Sequence, residues 1–438
     1  MKVAFSTLGC RVNQYESEAM AEKFIREGYE VVDYSEIADV YVINTCTVTN
    51  MGDKKSRQII SRARRLNEKA IIAVVGCYSQ MAPKEISEIE GVDVVLGTRN
   101  KGDVVYYVNK ARDEKKIQVH VDSVLKNSKF EELNINDYQD KTRAFLKIQD
   151  GCNRFCTYCI IPYSRGSVCS KEPALVLREI KELADHGFKE IILSGIHTAS
   201  YGLDLEGNVD LVSLLEEIEH INGIERVRIG SIEPAFFTDE VVEKIKKMKK
   251  LCPHFHLSLQ SGCDSVLKRM NRRYDSKEYE NIVNVLRDNI KDVSITTDVI
   301  VGFPGETDEE FEQTYQFLKR IKLTKTHVFK YSMRKGTRAA EMKNQIDGTV
   351  KEERSKRLIE LSDINEKNFI EKYVLSEQEV LIEQQVKNQE DVYEGYTRNY
   401  IKVLVKGANS SHKGKMINCK IEKAENEYAT GVIVQWIE

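Results

Sequence analysis

The sequence predicts an α/β protein in three parts: a doubly wound parallel sheet, a partial barrel of six strand–helix units, and a small C-terminal β-barrel. Short apolar strands alternate with amphipathic helices over residues 1–112 and again from residue 142, a pattern typical of parallel sheets. From residue 374 short strands follow one another without helices, as in small β-barrels. A chain of 438 residues is also too long for one ordinary core.

Each part has its own predicted elements. In residues 1–112 we predict strands at 3–8, 40–44, 71–76 and 92–96, and helices at 15–27, 53–67, 83–89 and from 102. The polar residues 113–141 predict a linker, in which 117–121 are candidates for an edge strand. In residues 142–373 we predict strands at 144–149, 190–194, 227–231, 254–259, 294–301 and 326–331, with helices such as 173–186, 238–250, 309–322 and 351–373. In residues 374–438 we predict strands at 380–383, 400–405, 416–423 and 431–435.

Composition limits the possible functions. The net charge of −3 gives no overall attraction for nucleic acid, so any RNA binding must use a local basic face. No apolar run approaches the length of a membrane span. Met1 leads directly into a predicted strand, so we expect no export signal. Ten cysteines in a chain of this kind favour metal binding or catalysis in a reducing cytoplasm over disulfides.

Three of these cysteines, Cys152, Cys156 and Cys159, form a C-x3-C-x2-C triplet directly after a predicted barrel strand. Active sites of (β/α) barrels lie at the carboxyl ends of the strands, where this triplet stands. Three thiolates can bind three irons of a [4Fe–4S] cube and leave the fourth iron open to a small molecule. The alternative is structural zinc, which requires four closed ligands, and Cys169 can supply the fourth.

A second set, Cys10, Cys46 and Cys77, is dispersed in the sequence but occupies equivalent places. Each follows a predicted parallel strand, and the carboxyl ends of parallel strands share one edge of the sheet. Gly9 and Gly76 would let the backbone approach a bulky inorganic group. The set therefore predicts a metal site, most simply a second three-thiolate cluster. We interpret the others as structural or incidental: Cys252, Cys263 and Cys419.

Several segments resemble one known family. The run Asp150-Gly-Cys-Asn-Arg-Phe-Cys-Thr-Tyr-Cys159 matches the radical S-adenosylmethionine (SAM) signature, and Ile160-Ile-Pro-Tyr-Ser-Arg-Gly166 resembles its methylthiotransferase branch. Residues 7–17, 44–48 and 76–77 are similar to the N-terminal cluster domain of that branch, and the tail resembles a TRAM domain. Residues 7–15 and 149–159 look most like the group that acts on N6-threonylcarbamoyladenosine (t6A) at position 37 of tRNA. One departure is Cys169, since the family usually has arginine there.

The resemblance implies a specific reaction and its cofactors. Two [4Fe–4S] clusters are implied, one on each cysteine triplet, together with SAM at the open iron of the Cys152 triplet. A 5′-deoxyadenosyl radical would remove the hydrogen from C2 of t6A, and sulfur held at the second cluster would enter there with a methyl group from a second SAM. The implied partners are tRNA, a sulfur source, and an electron donor such as a flavodoxin or ferredoxin.

Three other functions stay open. The same chemistry would serve N6-isopentenyladenosine in tRNA or an aspartate of a ribosomal protein. A non-catalytic RNA-binding protein that holds an iron–sulfur cluster or zinc is the rival from a different class. Iron content and SAM cleavage separate that rival from an enzyme.

Polar residues at the predicted strand ends are the candidates for SAM contacts. By the resemblance they are Tyr158, Ser194, Gly195, Ser231, Glu233, Gln260 and Asp298. Residues of these types also serve commonly as ordinary caps and turns. Arg272 and Arg273 are candidates for the SAM carboxylate or for RNA, against a solvated salt bridge. We interpret His197 and His256 as core or rim residues, because a radical route requires no basic side chain.

Two regions are candidates for RNA contact. The helix over residues 54–65 is strongly basic, and the candidates for RNA contact on its basic face are Arg62 and Arg65. In the tail, residues 393–400 interleave aromatics with a cation, and Tyr396 and Arg398 are the candidates. The alternatives are a solvated surface helix and the aromatic core of a small barrel.

Overall fold

A computed structural model describes residues 1–48, 50–125, 129–133, 135 and 142–436 of the chain. Its N-terminal part contains β1 (Lys2–Thr7), α1 (Arg11–Arg26), β2 (Glu30–Val32), β3 (Val40–Thr45), α2 (Asn50–Leu66), β4 (Ile71–Gly76), α3 (Cys77–Met81), α4 (Pro83–Ser87), β5 (Val94–Leu96), α5 (Val104–Glu114) and β6 (Gln118–His120). These strands form one parallel sheet in the order β2-β1-β3-β4-β5-β6.

The doubly wound character of this sheet is confirmed. Strand order reverses between β1 and β3, and helices cover both faces. On one face Phe24 of α1 and Val108 of α5 pack on the strands, and on the other Ile60 and Ala63 of α2 do so. A sheet of this kind leaves a crevice at the carboxyl ends of the strands where the order reverses.

The central part contains six parallel barrel strands with helices between them. Its elements are β7 (Arg143–Lys147), β8 (Gln149–Asp150), α6 (Ile161–Arg165), β9 (Cys169–Ser170), α7 (Pro173–Asp185), β10 (Glu190–Ser194), α8 (Leu211–Glu219), β11 (Arg226–Ile229), α9 (Asp239–Ile245), β12 (His254–His256), α10 (Asp264–Arg269), α11 (Ser276–Asn289), β13 (Ser294–Val301), α12 (Asp308–Ile321), β14 (Lys325–Lys330), α13 (Arg338–Glu341) and α14 (Gly348–Glu371).

The barrel strands pair as two groups, β7-β10-β11 and β12-β13-β14. Isolated parallel bridges, Val227 with Leu251 and Ile232 with Leu257, join the two groups. Among the described residues β7 and β14 do not pair, so the barrel is open along that seam. The prediction of a six-stranded partial barrel is confirmed.

The C-terminal part is a closed five-stranded barrel. Its strands are β15 (Glu377–Gln385), β16 (Val392–Thr397), β17 (Lys402–Lys406), β18 (Met416–Ala424) and β19 (Ala429–Trp436). The sequence predicted four strands and missed β16, whose buried residues nevertheless alternate as Tyr393, Gly395 and Thr397. Its two faces do not differ in polarity, since Gly395 and Thr397 are buried while Val392 and Tyr396 are less so, and the period of two is therefore not visible as a hydrophobic pattern.

The described part of residues 113–141 is more than a linker. The candidate edge strand is present as β6, the outermost strand of the N-terminal sheet. Leu133 and Ile135 are buried in the main core beside the barrel strands. The domain limits at residues 112, 141 and 373 stay predictions. No helix of the described residues combines the length and apolarity that a membrane span needs.

The C-terminal barrel docks on the amino ends of the central strands through arginines. Arg226 donates from Nη2 to Glu379 Oε1 at 2.7 Å, and Arg228 Nη2 donates to the Thr397 carbonyl at 2.7 Å. Both guanidinium groups also lie near the fully buried Glu190, with Arg228 Nε at 2.7 Å from its carboxylate. Burial alone would raise the pKa of Glu190, but the arginines outweigh it and hold that pKa below its usual value.

Replacing Glu190 with glutamine should therefore destabilise the protein. Glu190→Gln keeps the side-chain volume but leaves Arg226 and Arg228 buried with less counter-charge. We expect the free energy of unfolding to fall by about 3 kcal/mol, the cost of breaking a buried pair. Chemical denaturation of the anaerobically purified protein measures this change.

The matched control is Glu182→Gln. Glu182 is exposed and lies 3.9 Å from the exposed Arg178, so its substitution should change the free energy of unfolding by less than about 0.5 kcal/mol. Equal effects of the two substitutions would contradict the structural role given to Glu190.

Candidate active site

Cys10, Cys46 and Cys77 lie at the carboxyl ends of β1, β3 and β4, which are neighbours in the sheet. Gly9 permits their close approach, since a Cβ atom at this position would stand 2.8 Å from Cys46 Cβ and 2.9 Å from its Sγ. Gly76 has φ of +100°, which an L side chain rarely adopts. The structure thus brings together the three cysteines that the sequence placed at equivalent strand ends.

Polar side chains tie these strand ends to one another. Asn13 Nδ2 donates to the carbonyls of Leu8 at 2.7 Å and Thr45 at 3.0 Å. Thr45 Oγ1 in turn donates to the Val75 carbonyl at 2.6 Å. These bonds join β1, β3 and β4 just before their cysteines, so the spacing of the thiols is fixed by the backbone.

The thiols of Cys10 and Cys46 are protonated at neutral pH without metal. Burial raises the pKa of Cys46 to about 11, and the nearby thiols of Cys77 and Cys10 act in the same direction. Cys10 is exposed to the cavity, yet desolvation by the surrounding protein raises the pKa of its thiol, against the opposing charge of Arg165. Metal binding must therefore displace protons.

The triplet Cys152, Cys156 and Cys159 lies in the loop after β8, at the carboxyl end of the partial barrel. Gly151 fits because a Cβ there would come within 1.9 Å of the Ser167 carbonyl oxygen. Burial, followed by the Cys156 thiol, raises the pKa of Cys159 to about 12.

The loop of this triplet is anchored on the segment that follows α10. Thr157 Oγ1 donates to the Arg269 carbonyl at 2.8 Å, and Asn271 Nδ2 donates to the Phe155 carbonyl at 3.1 Å. Arg272 Nη1 approaches Cys156 Sγ at 3.3 Å. These hydrogen bonds hold the loop of the triplet against the end of α10.

Sulfur spacing favours a cluster over a single zinc ion. Tetrahedral zinc with bonds of about 2.3 Å holds its sulfurs about 3.8 Å apart. Among the described residues, neither cysteine set has all of its Sγ atoms within 4.8 Å of one another. Cys169 is not a fourth ligand either, since its Sγ accepts from Arg99 Nη1 at 2.9 Å. At least one pair of sulfurs in each triplet is therefore farther apart than a single zinc ion would hold it.

A buried ion network joins the two triplets. Arg165 donates from Nη1 to Glu16 Oε1 at 2.9 Å and contacts Asp150 Oδ2 at 3.1 Å. Lys147 Nζ lies 2.8 Å from the Glu16 carboxylate and 2.7 Å from that of Asp150. Lys101 also pairs with Glu16, and all these side chains are fully buried.

This network has more cations than anions. Arg99, Lys101, Lys147 and Arg165 face the carboxylates of Glu16 and Asp150. Glu131 is a third carboxyl near these cations. Burial raises its pKa, and even a fully ionised Glu131 would leave the cations in excess. Arg165 is close enough to act electrostatically on the thiols of Cys10 and Cys77. Three thiolates make a bound cluster anionic, so the excess positive charge fits such a group at this place.

Two cavities adjoin the triplets. A cavity of about 310 Å³ is lined by Cys159 with the predicted SAM contacts Tyr158, Gln260 and Asp298. A larger cavity of about 840 Å³ is lined by Cys10 with the predicted contact Ser231. Asp298 and Phe329 line both, so the two cavities meet between the two cysteine sets.

The remaining predicted SAM contacts lie beside the Cys152 loop. Glu233 pairs with Arg154 and with His197 Nε2 at 3.2 Å. The Ser194 carbonyl accepts from the Ile148 amide at 2.9 Å, so one of its two lone pairs is engaged.

Gly195 lies against Gln149, where a Cβ would meet Oε1 at 2.8 Å. Its role and that of Ser194 as SAM contacts stay predictions. Arg273 is exposed, in contrast to Arg272, which approaches the Cys156 thiol.

The predicted RNA contacts divide into two groups. Arg62 and Arg65 are exposed on α2 and line a basic groove of about 780 Å³. Tyr396 instead stacks on Tyr400 with centroids 4.8 Å apart, and Arg398 donates to the Lys249 carbonyl. The second pair therefore takes part in docking the C-terminal barrel, and its contact with RNA stays a prediction.

Sequence reasoning missed the buried ion network. Asn13, Glu16 and Ser17 are spaced by three and four residues on α1, so they share one face, and all three are buried. A polar set of this kind between apolar residues is the signal that was available. Its partners Asp150 and Arg165 flank the second cysteine triplet, and no spacing in the sequence links them to Glu16.

Three family models match the chain. They are the uncharacterized protein family UPF0004 over residues 2–97, the radical SAM superfamily over residues 146–318 and the TRAM domain over residues 371–434. These matches correspond to the parallel sheet, the partial barrel and the small β-barrel in that order.

Curated relatives match over nearly the whole length. A threonylcarbamoyladenosine tRNA methylthiotransferase MtaB of Bacillus subtilis (strain 168) is 46% identical, with 100% of this chain and 97% of that protein covered. A tRNA-2-methylthio-N(6)-dimethylallyladenosine synthase of Clostridium botulinum (strain Okra / Type B1) is 38% identical, with coverages of 97% and 95%. Among solved structures, the radical SAM methyltransferase TsrM from Kitasatospora setae shares the fold, with a TM-score of 0.59, 15% identity and 77% of each chain covered.

Alkylation of Cys46 in the folded, metal-free protein should report its raised pKa. Because the thiolate is the nucleophile, its rate should rise half-maximally near pH 11, against an ordinary pKa of 9.0. Between these values the folded state binds more protons, so the stability of the metal-free protein should fall as pH rises from 9 to 11. Mass spectrometry of the peptide after timed iodoacetamide pulses measures the rate. The same pH profile in folded and urea-unfolded protein would contradict the burial of this thiol.

Proposed function

Because this chain belongs to the radical SAM methylthiotransferase family, we propose that it methylthiolates C2 of t6A at position 37 of tRNA. The product is 2-methylthio-N6-threonylcarbamoyladenosine. Support for the t6A substrate comes from the MtaB relatives, which are 46% and 43% identical, against 38% for the dimethylallyladenosine synthase.

The observation that carries this proposal is the meeting of two cavities between two cysteine triplets. Cys159 lines one cavity and Cys10 the other, and Asp298 belongs to both. A reaction that needs two separate inorganic groups and one substrate requires such a shared space. A simple RNA-binding module has no use for it.

Each part of the site has an assigned ligand. Cys152, Cys156 and Cys159 would hold one [4Fe–4S] cluster with SAM at its open iron, and Cys10, Cys46 and Cys77 the other. When bound, these groups supply the radical that removes the C2 hydrogen, the sulfur and the methyl group.

The protein's own residues position these groups and shield them. Tyr158, Gln260 and Asp298 line the smaller cavity, where they would contact SAM, and Ser231 lines the larger one. Ile300 and Phe329 give the smaller cavity apolar walls, which limit the access of water to a radical.

A further contact holds the N-terminal sheet on the barrel. Arg334 Nη2 lies 2.7 Å from Asp53 Oδ2 and donates to Thr47 Oγ1. Thr47 follows Cys46 directly, so this arginine joins the loop of one triplet to the barrel that carries the other. The contact fixes the gap in which the substrate base must lie.

The tRNA is expected to contact the basic groove of α2, which Arg62 and Arg65 line. We assign the protein to the cytoplasm, where its cysteines stay reduced. The reaction also requires an electron donor, such as a flavodoxin or ferredoxin, and a sulfur source.

Nucleoside mass spectrometry of tRNA from cells that lack this protein tests the proposed function. We expect 2-methylthio-t6A to disappear while t6A remains, and the wild-type gene to restore it. Cys10→Ala/Cys46→Ala/Cys77→Ala should not restore it, and purified anaerobically this variant should hold about four irons per chain against about eight in the wild type.

Cys419→Ala is the matched control, since Cys419 is buried in the C-terminal barrel away from both triplets. It should retain the full iron content and restore the product. Loss of t6A itself, loss of a methylthiolated isopentenyladenosine instead, or zinc without iron would each refute the proposal in a different way.

The salt dependence of tRNA binding tests the α2 groove. Each phosphate that a variant no longer neutralises should make the slope of log K against log salt shallower by about 0.7 to 0.9. We expect this change for Arg62→Gln and for Arg65→Gln in filter-binding or fluorescence titrations. Arg178→Gln, which replaces an exposed arginine on α7, should leave the slope unchanged. An unchanged slope in both α2 variants would remove this groove from the RNA interface.

A further inference from the structure

The larger cavity contains a cation without a counter-charge. Arg11 lines it beside Cys10, at the first turn of α1. Within the described residues Arg11 has no carboxylate within salt-bridge distance; its contacts are a hydrogen bond from Nη1 to Gln14 Oε1 at 3.1 Å and the ring of Phe145. By contrast, the buried Arg165 and Arg228 both pair with carboxylates.

The position of the Arg11 guanidinium is defined by Phe145. Its Cζ lies 4.7 Å from the centroid of that ring, so one face is stacked on the first strand of the barrel. Stacking occupies the face of a guanidinium and leaves its N–H edge available. One of its five N–H donors is used by Gln14, and the others are free to bind a ligand in the cavity.

The other titratable groups that line this cavity are Cys10, Glu18, Asp298, His256 and His327. Asp298 Oδ2 lies 3.3 Å from His256 Nε2. Glu18 also interacts with another residue. Partial desolvation and the neighbouring His256 lower the pKa of His327, so it is neutral at pH 7. Among the described residues that line this cavity, Arg11 is thus the one arginine or lysine, and no carboxylate pairs with it.

The substrate of the proposed function carries a complementary group. Threonylcarbamoyl is a threonine joined through a urea to N6 of adenine, and its carboxylate is free and anionic. N1 of the ring is bonded to C2 and to C6, which carries N6, so the N6 substituent must lie close to the place where sulfur enters at C2. Arg11 follows Cys10 directly in the chain and is in that region.

We propose that Arg11 binds the carboxylate of the threonylcarbamoyl group and thereby selects t6A over adenosines with a neutral N6 substituent. The planar guanidinium matches a carboxylate with two parallel hydrogen bonds. An apolar isopentenyl group would leave the guanidinium without its anion, which disfavours that substrate. This inference rests on the proposed function and adds the residue that sets its specificity.

The test uses three anticodon stem-loop RNAs that differ only at position 37: t6A, the methyl ester of t6A, and unmodified adenosine. Their affinities are measured with the holoenzyme in S-adenosylhomocysteine, which prevents turnover. Arg11→Gln should weaken binding of the t6A loop about 10- to 100-fold, the range for a hydrogen bond to a charged group. It should leave the ester and adenosine loops unchanged, because they lack the carboxylate. Arg11→Lys should weaken binding of the t6A loop less than Arg11→Gln does.

The matched control is Arg26→Gln, at the opposite end of the same helix, where Arg26 is exposed and pairs with Glu22. It should leave all three affinities unchanged. In turnover assays with SAM, Arg11→Gln should lower kcat/KM for the t6A loop by the same factor and leave the KM for SAM unchanged.

Three outcomes would overturn the inference. Equal weakening of all three loops by Arg11→Gln would assign the arginine to a phosphate, and a raised KM for SAM would assign it to the SAM carboxylate. Retention of the wild-type preference for t6A over its ester would remove Arg11 from recognition. A wild-type enzyme that methylthiolates only an isopentenyladenosine loop would instead refute the proposed function, and this inference with it.

Discussion

The arrangement of the site depends on one buried ion pair, between Glu16 of the N-terminal sheet and Arg165 of the barrel. Arg165 also contacts Asp150, which precedes the second cysteine triplet, and donates to Asn13, which holds the loop of the first. α1 begins directly after Cys10. One guanidinium is therefore bonded to the helix that follows Cys10 and to the strand that precedes Cys152, and so links the positions of the two triplets.

Burying four cations and two carboxylates at a domain boundary is costly, and apolar residues often stabilise such an interface better. The neighbouring cysteine thiols explain why this interface contains more cations than carboxylates. Desolvation raises the pKa of the Cys10 and Cys46 thiols above its ordinary value, whereas a bound metal requires thiolates. Excess positive charge beside Cys10 and Cys77 offsets this cost. The same network thus positions the two domains and supplies the charge that an anionic cluster needs.

The sequence predicted what depends on periodicity and on placement at strand ends. The parallel sheet, the six barrel strands and the grouping of Cys10, Cys46 and Cys77 follow from such patterns. It did not predict contacts between distant charges, because Glu16 and Arg165 look like ordinary surface residues until the fold removes them from water. The sequence also did not predict that Tyr396 helps to dock the C-terminal barrel. Its contact with the central barrel is made through Arg226 and is invisible to local patterns.

The docking of the C-terminal barrel has a consequence for substrate access. It sits on the amino ends of the central strands, whereas both cysteine triplets lie at carboxyl ends. A strand such as β14, with six residues, spans about 20 Å. If the C-terminal barrel holds the tRNA, the anticodon loop must cover this distance along the outside of the central barrel. The unpaired seam beside β14, where His327 and Phe329 are exposed, leads to the larger cavity. A fully closed barrel would cover this seam, so the partial barrel leaves the larger cavity open from the side of β14.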